Sequence, residues 1–433
     1  MIPLRTRSRM AWDEALRVIP GGVQTMSKSP DRYVEGVYPY FLSVGKGPYV
    51  WDTEDNRYID YPLALGAVTL GHADPDVISA VTHEIQKGTL FTLPSPIEAD
   101  AAKAVLRLAP WAEQVRFTKT GSEACSAAVK LARAVTGREH IIVCGYHGWH
   151  DWYNVSTDKK EGIPAVLGSL VHKARYNDFD SFVTPFKEHN GLIAAIIMEP
   201  CIYDVPEFGF LEAVQNLARQ TGALLIFDEM VTGGRFPGGS AGRFFGITPD
   251  LACFGKGIAN GFPLAAVVGR REHMMRFTGD CFFSTTFGGE TTALVAAQVT
   301  LSKLLDNDVI SRTMWESGRL LSAGYNAAAQ ELGIETSCVG YPCRTMFLFP
   351  SPAHKTLFWQ ECVKRGVLFG YAQFVSLAHK PRVIENTLDV VRESLKTLKE
   401  NWAAPERVLE GPVAKEVFRL VATRGMGEGA PQK

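Results

Sequence analysis

Two stretches decide the fold: Ala223-Leu224-Leu225-Ile226-Phe227-Asp228-Glu229-Met230 and, further on, Leu251-Ala252-Cys253-Phe254-Gly255-Lys256-Gly257. In each, an unbroken apolar run stops at or just before one charged residue. Apolar residues in succession, without polar alternation, suit a strand covered on both faces. The same unit repeats outward from this pair. Val115 to Thr118, His140 to Cys144, Ile193 to Met198 and Leu264 to Val268 read as further strands, with helices such as Ser122 to Thr136 and Leu211 to Thr221 between them. Strands alternating with helices define an α/β fold, a mostly parallel sheet flanked by helices.

Toward both ends the pattern changes. Residues 6 to 19 read as a short helix closed by Pro20-Gly21-Gly22, and Gly47 to Tyr61 as a hairpin around Thr53-Glu54-Asp55-Asn56. After about residue 308 the helices lengthen, and Ile384, Leu388, Val391, Leu395, Leu398 and Trp402 form one apolar helical stripe. The expected organisation is a large domain over 73–308, with 1–72 and 309–433 joining in a smaller one. Gly425 to Lys433 reads as a tail.

The 433 residues carry 45 basic and 46 acidic side chains, which gives no general pull toward nucleic acid or an anionic membrane. The longest apolar run, Leu192 to Met198, is far too short to span a bilayer, and the arginines at 5, 7 and 9 are followed by no apolar signal block. The eight cysteines lack close pairing, so reduced thiols in a cytoplasmic enzyme are expected.

In open α/β sheets, ligands gather beyond the C-terminal strand ends. Thr118-Lys119-Thr120-Gly121-Ser122-Glu123 is a capping box, and its free N–H groups suit a phosphate; taken alone, a capped helix without ligand satisfies it. Gly145-Tyr146-His147-Gly148-Trp149-His150-Asp151-Trp152 offers flat aromatic faces to a planar ligand. No metal set is read there, since His147, His150 and Asp151 lack ligand spacing. Asp228 at a strand mouth needs a cation or strong donor, unless it caps a helix or pairs at the surface. Lys256, between glycines after an apolar strand, is placed to be a nucleophilic amine. A Walker-type P-loop fails there, because Asp250 and Gly257 stand where it needs glycine and Ser or Thr. Ser284-Thr285-Thr286-Phe287-Gly288-Gly289 is a hydroxyl-rich turn suited to phosphate. Together, a phosphate nest, an aromatic face, a carboxylate and an amine describe a pyridoxal phosphate pocket.

With these residues in order, the chain resembles the class III aminotransferases of PLP fold type I, most closely the glutamate-1-semialdehyde aminomutase-like branch. The resemblance runs from Pro20-Gly21-Gly22-Val23 through Leu70-Gly71-His72 and the segments above to Thr286, and covers nearly all of the chain to about residue 400. It implies a large domain with a mostly parallel seven-stranded sheet, a smaller α+β domain from both chain ends, and an obligate homodimer. It implies that Lys256 forms the internal aldimine and shuttles the proton, while Asp228 keeps the pyridine nitrogen protonated. Gly121 and Ser122 would bind the phosphate, Tyr146 and Met230 would cover the two ring faces, His147 would join the cofactor set, and Thr286 would reach the partner's phosphate.

The chain also departs from that branch. Lys28 stands where the aminomutases carry an arginine for the substrate carboxylate, and Tyr371 lies nearest to the place of an acidic residue. Lys28, Trp51, Glu199 and Tyr371 are the candidate substrate contacts; Arg235, Arg344 and Arg382 are candidates for carboxylate contacts too, with a structural role the commoner use of such arginines. Gly288-Gly289-Glu290-Thr291 and the 148–152 loop look more like a branch acting on sugars and secondary metabolites. The expected reaction moves an amino group from an amino acid, glutamate foremost, to a keto or aldehyde carbon of a carbohydrate-like or cyclic acceptor. A dehydroshikimate-type ketone giving an aminobenzoate is one candidate acceptor. The alternative is intramolecular transfer on a glutamate-semialdehyde-like substrate.

Overall fold

In the computed structural model, which describes residues 6–415, the apolar runs become strands of one sheet. The glycine-rich end at 425–433 lies outside the described residues. The strands are β1 (Gln114–Thr118), β2 (His140–Cys144), β3 (Val171–Lys173), β4 (Ile193–Met198), β5 (Leu224–Asp228), β6 (Leu251–Phe254) and β7 (Ala265–Gly269). Their order across the sheet is β1-β7-β6-β5-β4-β2-β3. Only β7 runs antiparallel to its neighbours, β1 and β6. Strands β4 and β5 are buried along their whole length, as unbroken apolar runs require. β3 had no clear signal: it has three residues and sits at the sheet edge.

The helix Gly121–Thr136 lies against this sheet through Ala124, Cys125, Ala127, Ala128 and Ala132, all buried with Ile141, Val143 and Ile226. Small residues on that face let the helix approach closely. It begins at Thr120, which with Glu123 forms a complete capping box, and stops at Gly137, whose φ of 68° suits glycine.

The described residues divide into two compact units: 75–310, which carries the sheet, and 6–74 with 311–415. In the second unit the expected hairpin pairs Tyr49–Asp52 with Arg57–Asp60 in antiparallel register. Asp52 fixes its turn by accepting the backbone N–H groups of Glu54 and Asn56. The strand Val367–Leu368 adds to Arg57–Asp60 in parallel, joining the two chain ends in one sheet. The helix Pro381–Glu400 buries Ile384, Val391, Leu395 and Leu398 in this unit's core, so the periodic stripe is its inward face. No helix among the described residues is long and apolar enough to cross a membrane.

Candidate active site

Strand register sets the site. Cys144 pairs with Met198, Met198 with Phe227, and Phe227 with Ala252. The residues one step on, Gly145, Glu199 and Asp228, therefore share a row across three strand mouths. Lys256 follows three residues after Cys253, the partner of Asp228.

Asp228 is buried and well satisfied. One oxygen accepts from His147 Nδ1 at 2.8 Å and from the Cys125 thiol at 3.4 Å; the other accepts from the Met230 N–H at 3.1 Å. Burial pushes the carboxyl up, but the His147 hydrogen bond, the charges of His147 and Lys256 and the Met230 N–H outweigh it and hold Asp228 below its usual value. The carboxylate is thus kept ionised in a dry place. An ionised carboxylate offers about four lone-pair sites, so room remains for one more donor. The Cys125 thiol is held protonated by its hydrogen bond with Cys253, by burial and by Asp228 itself.

Lys256 opens a short 3-10 turn, Lys256–Ala259, with φ at 48°, a left-handed conformation that costs a non-glycine residue about 1–2 kcal/mol. Such strain persists only where the surroundings enforce it. Here the surroundings converge on Met230. A Cβ on Gly255 would lie 2.5 Å from the Met230 sulfur, and one on Gly121 would lie 2.8 Å from it. The glycine that starts the helix and the glycine before the lysine therefore both lie against one thioether, and a side chain at either would have to displace Met230.

The 145–152 loop closes over the start of the helix Gly121–Thr136. Gly148 adopts φ of 104°, and a Cβ there would lie 2.8 Å from the Ser122 backbone. The Trp149 N–H donates to Ser122 Oγ at 3.3 Å. Ser126 receives the Trp152 indole N–H at 2.7 Å and meets His150 Nδ1 at 2.6 Å. The buried Glu199 accepts the Tyr146 N–H at 2.9 Å, fixing where the Tyr146 ring begins. That ring meets Tyr153 edge-on at 5.7 Å. The neighbouring Glu229 caps another turn: burial pushes its carboxyl up, while Thr232, Ala241 and Gly242 donate to it.

The structure thus brings together Gly121, Ser122, Tyr146, His147, Glu199, Asp228, Met230 and Lys256. The turn carrying Thr286 is tied to the same sheet edge, through Thr285 Oγ1 to the Phe117 carbonyl at 3.2 Å and a Lys119–Glu290 ion pair at 2.9 Å. Thr286 itself is exposed. In the other unit, Lys28 is exposed in the turn Met26–Lys28, and Trp51 is half-buried beside Tyr49. The Tyr371 hydroxyl donates to the Lys415 carbonyl at 2.5 Å and accepts from Lys355 Nζ at 3.2 Å. Arg235 and Arg344 are buried, and Arg382 is an exposed partner of Glu385. Reading the sequence missed Cys125 and the Ser126–His150–Trp152 cluster. A helix-face thiol and serine carry no motif, and only the loop's return across the helix gives them partners.

A parallel sheet with one reversed strand, a carboxylate and a lysine at adjacent mouths, and a glycine-started helix beside them define an α/β enzyme of PLP fold type I. Comparison with known families places the class-III aminotransferase profile on residues 32–337, and the chain belongs to that family. Over nearly its whole length it is similar to a glutamate-1-semialdehyde 2,1-aminomutase of Syntrophobacter fumaroxidans, 36% identical across 92% of this chain and 99% of the relative. It is also similar to a 3-aminobutyryl-CoA aminotransferase of Cloacimonas acidaminovorans, 33% identical across 91% of this chain and 98% of that one. Among solved structures it matches the PLP internal aldimine form of the FumI protein of Sphingopyxis sp. MTA144, with TM-score 0.87, 29% identity, and coverage of 93% of this chain and 100% of the other.

Proposed function

We propose that this PLP-dependent enzyme is a transaminase, carrying nitrogen from an amino-acid donor, glutamate foremost, to a keto or aldehyde carbon of a carbohydrate-like or cyclic acceptor. The buried His147–Asp228 pair, with Lys256 near enough for its charge to act on Asp228, carries the cofactor assignment. The residues fit the group: Asp228 keeps a spare acceptor, His147 Nε2 is buried without a partner, and Gly121 leaves an open backbone at a helix start. Bound pyridoxal phosphate supplies an aldehyde that condenses with amines and a ring that withdraws electrons once its nitrogen is protonated.

Each side chain then has a task. Asp228 would hold a proton on the ring nitrogen, while His147 keeps Asp228 ionised and oriented. Gly121 and Ser122, at the positive end of the helix, receive the phosphate. Tyr146 and Met230 would cover the ring faces and exclude water. Lys256 Nζ would hold the aldehyde carbon and, once freed by substrate, would take and return the proton at the substrate carbon. Thr286 completes the phosphate site of a second copy in a homodimer. That reading is supported by its exposure and by the exposed apolar side chains Leu93, Phe282 and Phe287 of the same unit. A cytoplasmic setting is supported by the eight free, buried cysteines.

Transfer to a separate acceptor is favoured by Lys28 and Tyr371. A lysine keeps the charge but loses the planar two-point grip of arginine on a carboxylate. The Tyr371 hydroxyl, engaged by Lys355 and Lys415, supplies no acidic group. The second reading, intramolecular transfer, is supported by the names of the curated relatives. Incubating the pyridoxamine form with candidate keto sugars, cyclic ketones and glutamate semialdehyde separates the two. Under our reading the pyridoxal absorbance returns with a sugar or cyclic carbonyl, and the aminated product leaves. Efficient isomerisation of glutamate semialdehyde, with no other amino compound present, would overturn the choice.

A further inference from the structure

His140, His172 and His189 come together away from the strand mouths. β2 pairs with β3 so that His172 lies opposite Ile142. His140 is two residues before Ile142, and side chains two apart on a strand share a face. The two histidines therefore sit on one face of the sheet edge. His189 closes the helix Phe179–Glu188 at its C-terminal cap and meets both rings, with centroids at 4.7 Å from His140 and 4.4 Å from His172. One ring nitrogen from each of the three lies within 4.8 Å of the others, and all three residues are half-buried.

We propose that this trio is a binding site for one divalent transition-metal ion of the zinc class, held by three imidazoles with a fourth position open to solvent. Zinc bound at about 2.0–2.1 Å by imidazoles in a tetrahedron needs nitrogens about 3.3 Å apart. His140 Nδ1 and His172 Nε2 are 2.9 Å apart, and their ring planes are parallel within 5°. In that arrangement one ring donates a hydrogen bond to the other, and a modest rotation turns both lone pairs toward a common centre. Burial first, then the charge of His189, holds His140 below its ordinary value, and burial with the charges of His189 and His140 brings His172 to about 4. The nearby charges on His140 offset one another, Glu139 favouring a cation there and Arg133 opposing it. Imidazole sets without thiolate or carboxylate suit zinc, copper, nickel and cobalt rather than calcium or magnesium.

His140 starts β2 and Cys144 ends it, so the trio lies about 13 Å along the strand from the cofactor edge. The ion would clip the edge strand β3 and the end of a helix to β2, away from the cofactor edge. A set this scattered, with His140 and His172 32 residues apart, has no motif to read.

The test is cobalt(II) titration of the chelator-treated holoenzyme, followed by its ligand-field absorption and displaced by zinc(II). We expect one equivalent per chain with the intense bands of four-coordinate cobalt, and a melting temperature raised by zinc. His172→Ala and His189→Gln should each weaken binding at least about a hundredfold, beyond the 10–100-fold typical of losing a supporting contact, and abolish the zinc-induced shift. Their metal-free half-reaction should match that of the unaltered protein. His189→Gln, at a helix cap, keeps the test intact if His172→Ala folds poorly. Weak six-coordinate spectra alone, or unchanged binding in both variants, would overturn the site.

Discussion

At the scale of single residues, the site rests on an ionised carboxylate kept dry. Asp228 lies below its unfolded value, so it contributes stability that is fully present above about pH 4 and lost as pH falls through the folded value. Asp228→Asn should therefore be less stable than the unaltered protein at neutral pH, with the difference in urea midpoints narrowing on acidification. A difference that widens toward acid would remove the charge argument. The same variant should keep some cofactor but lose about 10²–10³-fold in kcat, the size expected for losing a preorganised electrostatic group. Lys256→Ala should abolish the borohydride-reducible yellow form and cost at least 10²–10⁴-fold in rate, the scale of general base catalysis. A reducible adduct persisting at another lysine would reassign the nucleophile. Both residues were legible in the sequence because each ends an apolar run. The hydrogen bond from His147 to Asp228 was not, since it joins residues 81 apart.

At the scale of elements, two glycines at positive φ, one ending a helix and one in the aromatic loop, separate strain from function. Gly137 has φ of 68° and open space around a would-be Cβ, whereas Gly148 has φ of 104° and the Ser122 backbone 2.8 Å away. Gly137→Ala should cost about 1–2 kcal/mol of stability and leave cofactor affinity unchanged. Gly148→Ala must push the aromatic loop off the helix start, so cofactor affinity should fall together with the melting temperature. Equal cofactor binding in the two variants, measured by fluorescence titration, would show that the loop does not organise the phosphate site. The capping box at Thr120 and Glu123 was readable from spacing alone, because a cap is local chemistry. The edge strand Val171–Lys173 was not, because three residues carry too little pattern and β2 alone defines it.

At the scale of the whole molecule, the proposed homodimer is tested through Thr286. If it completes the partner's phosphate site, mixing Lys256→Ala chains with Thr286→Ala chains should create dimers with one unaltered site. Activity should then rise well above either variant alone as subunits exchange. If Thr286 serves its own chain, every site in the mixture stays defective and no recovery is seen. The outcome is read by steady-state rates of the mixture against time.

The alternation of apolar runs with amphipathic helices determined the sheet, and a charge at a run's end marked where chemistry gathers, because burial and periodicity are properties of neighbouring residues. Only the tertiary structure decided which of those ends meet. Register placed Glu199 and Asp228 in one row, Met230 against two glycines, and His140 on the same face as His172. Those pairings are distance relations between remote segments, and a linear pattern holds no information on them until the strands are aligned.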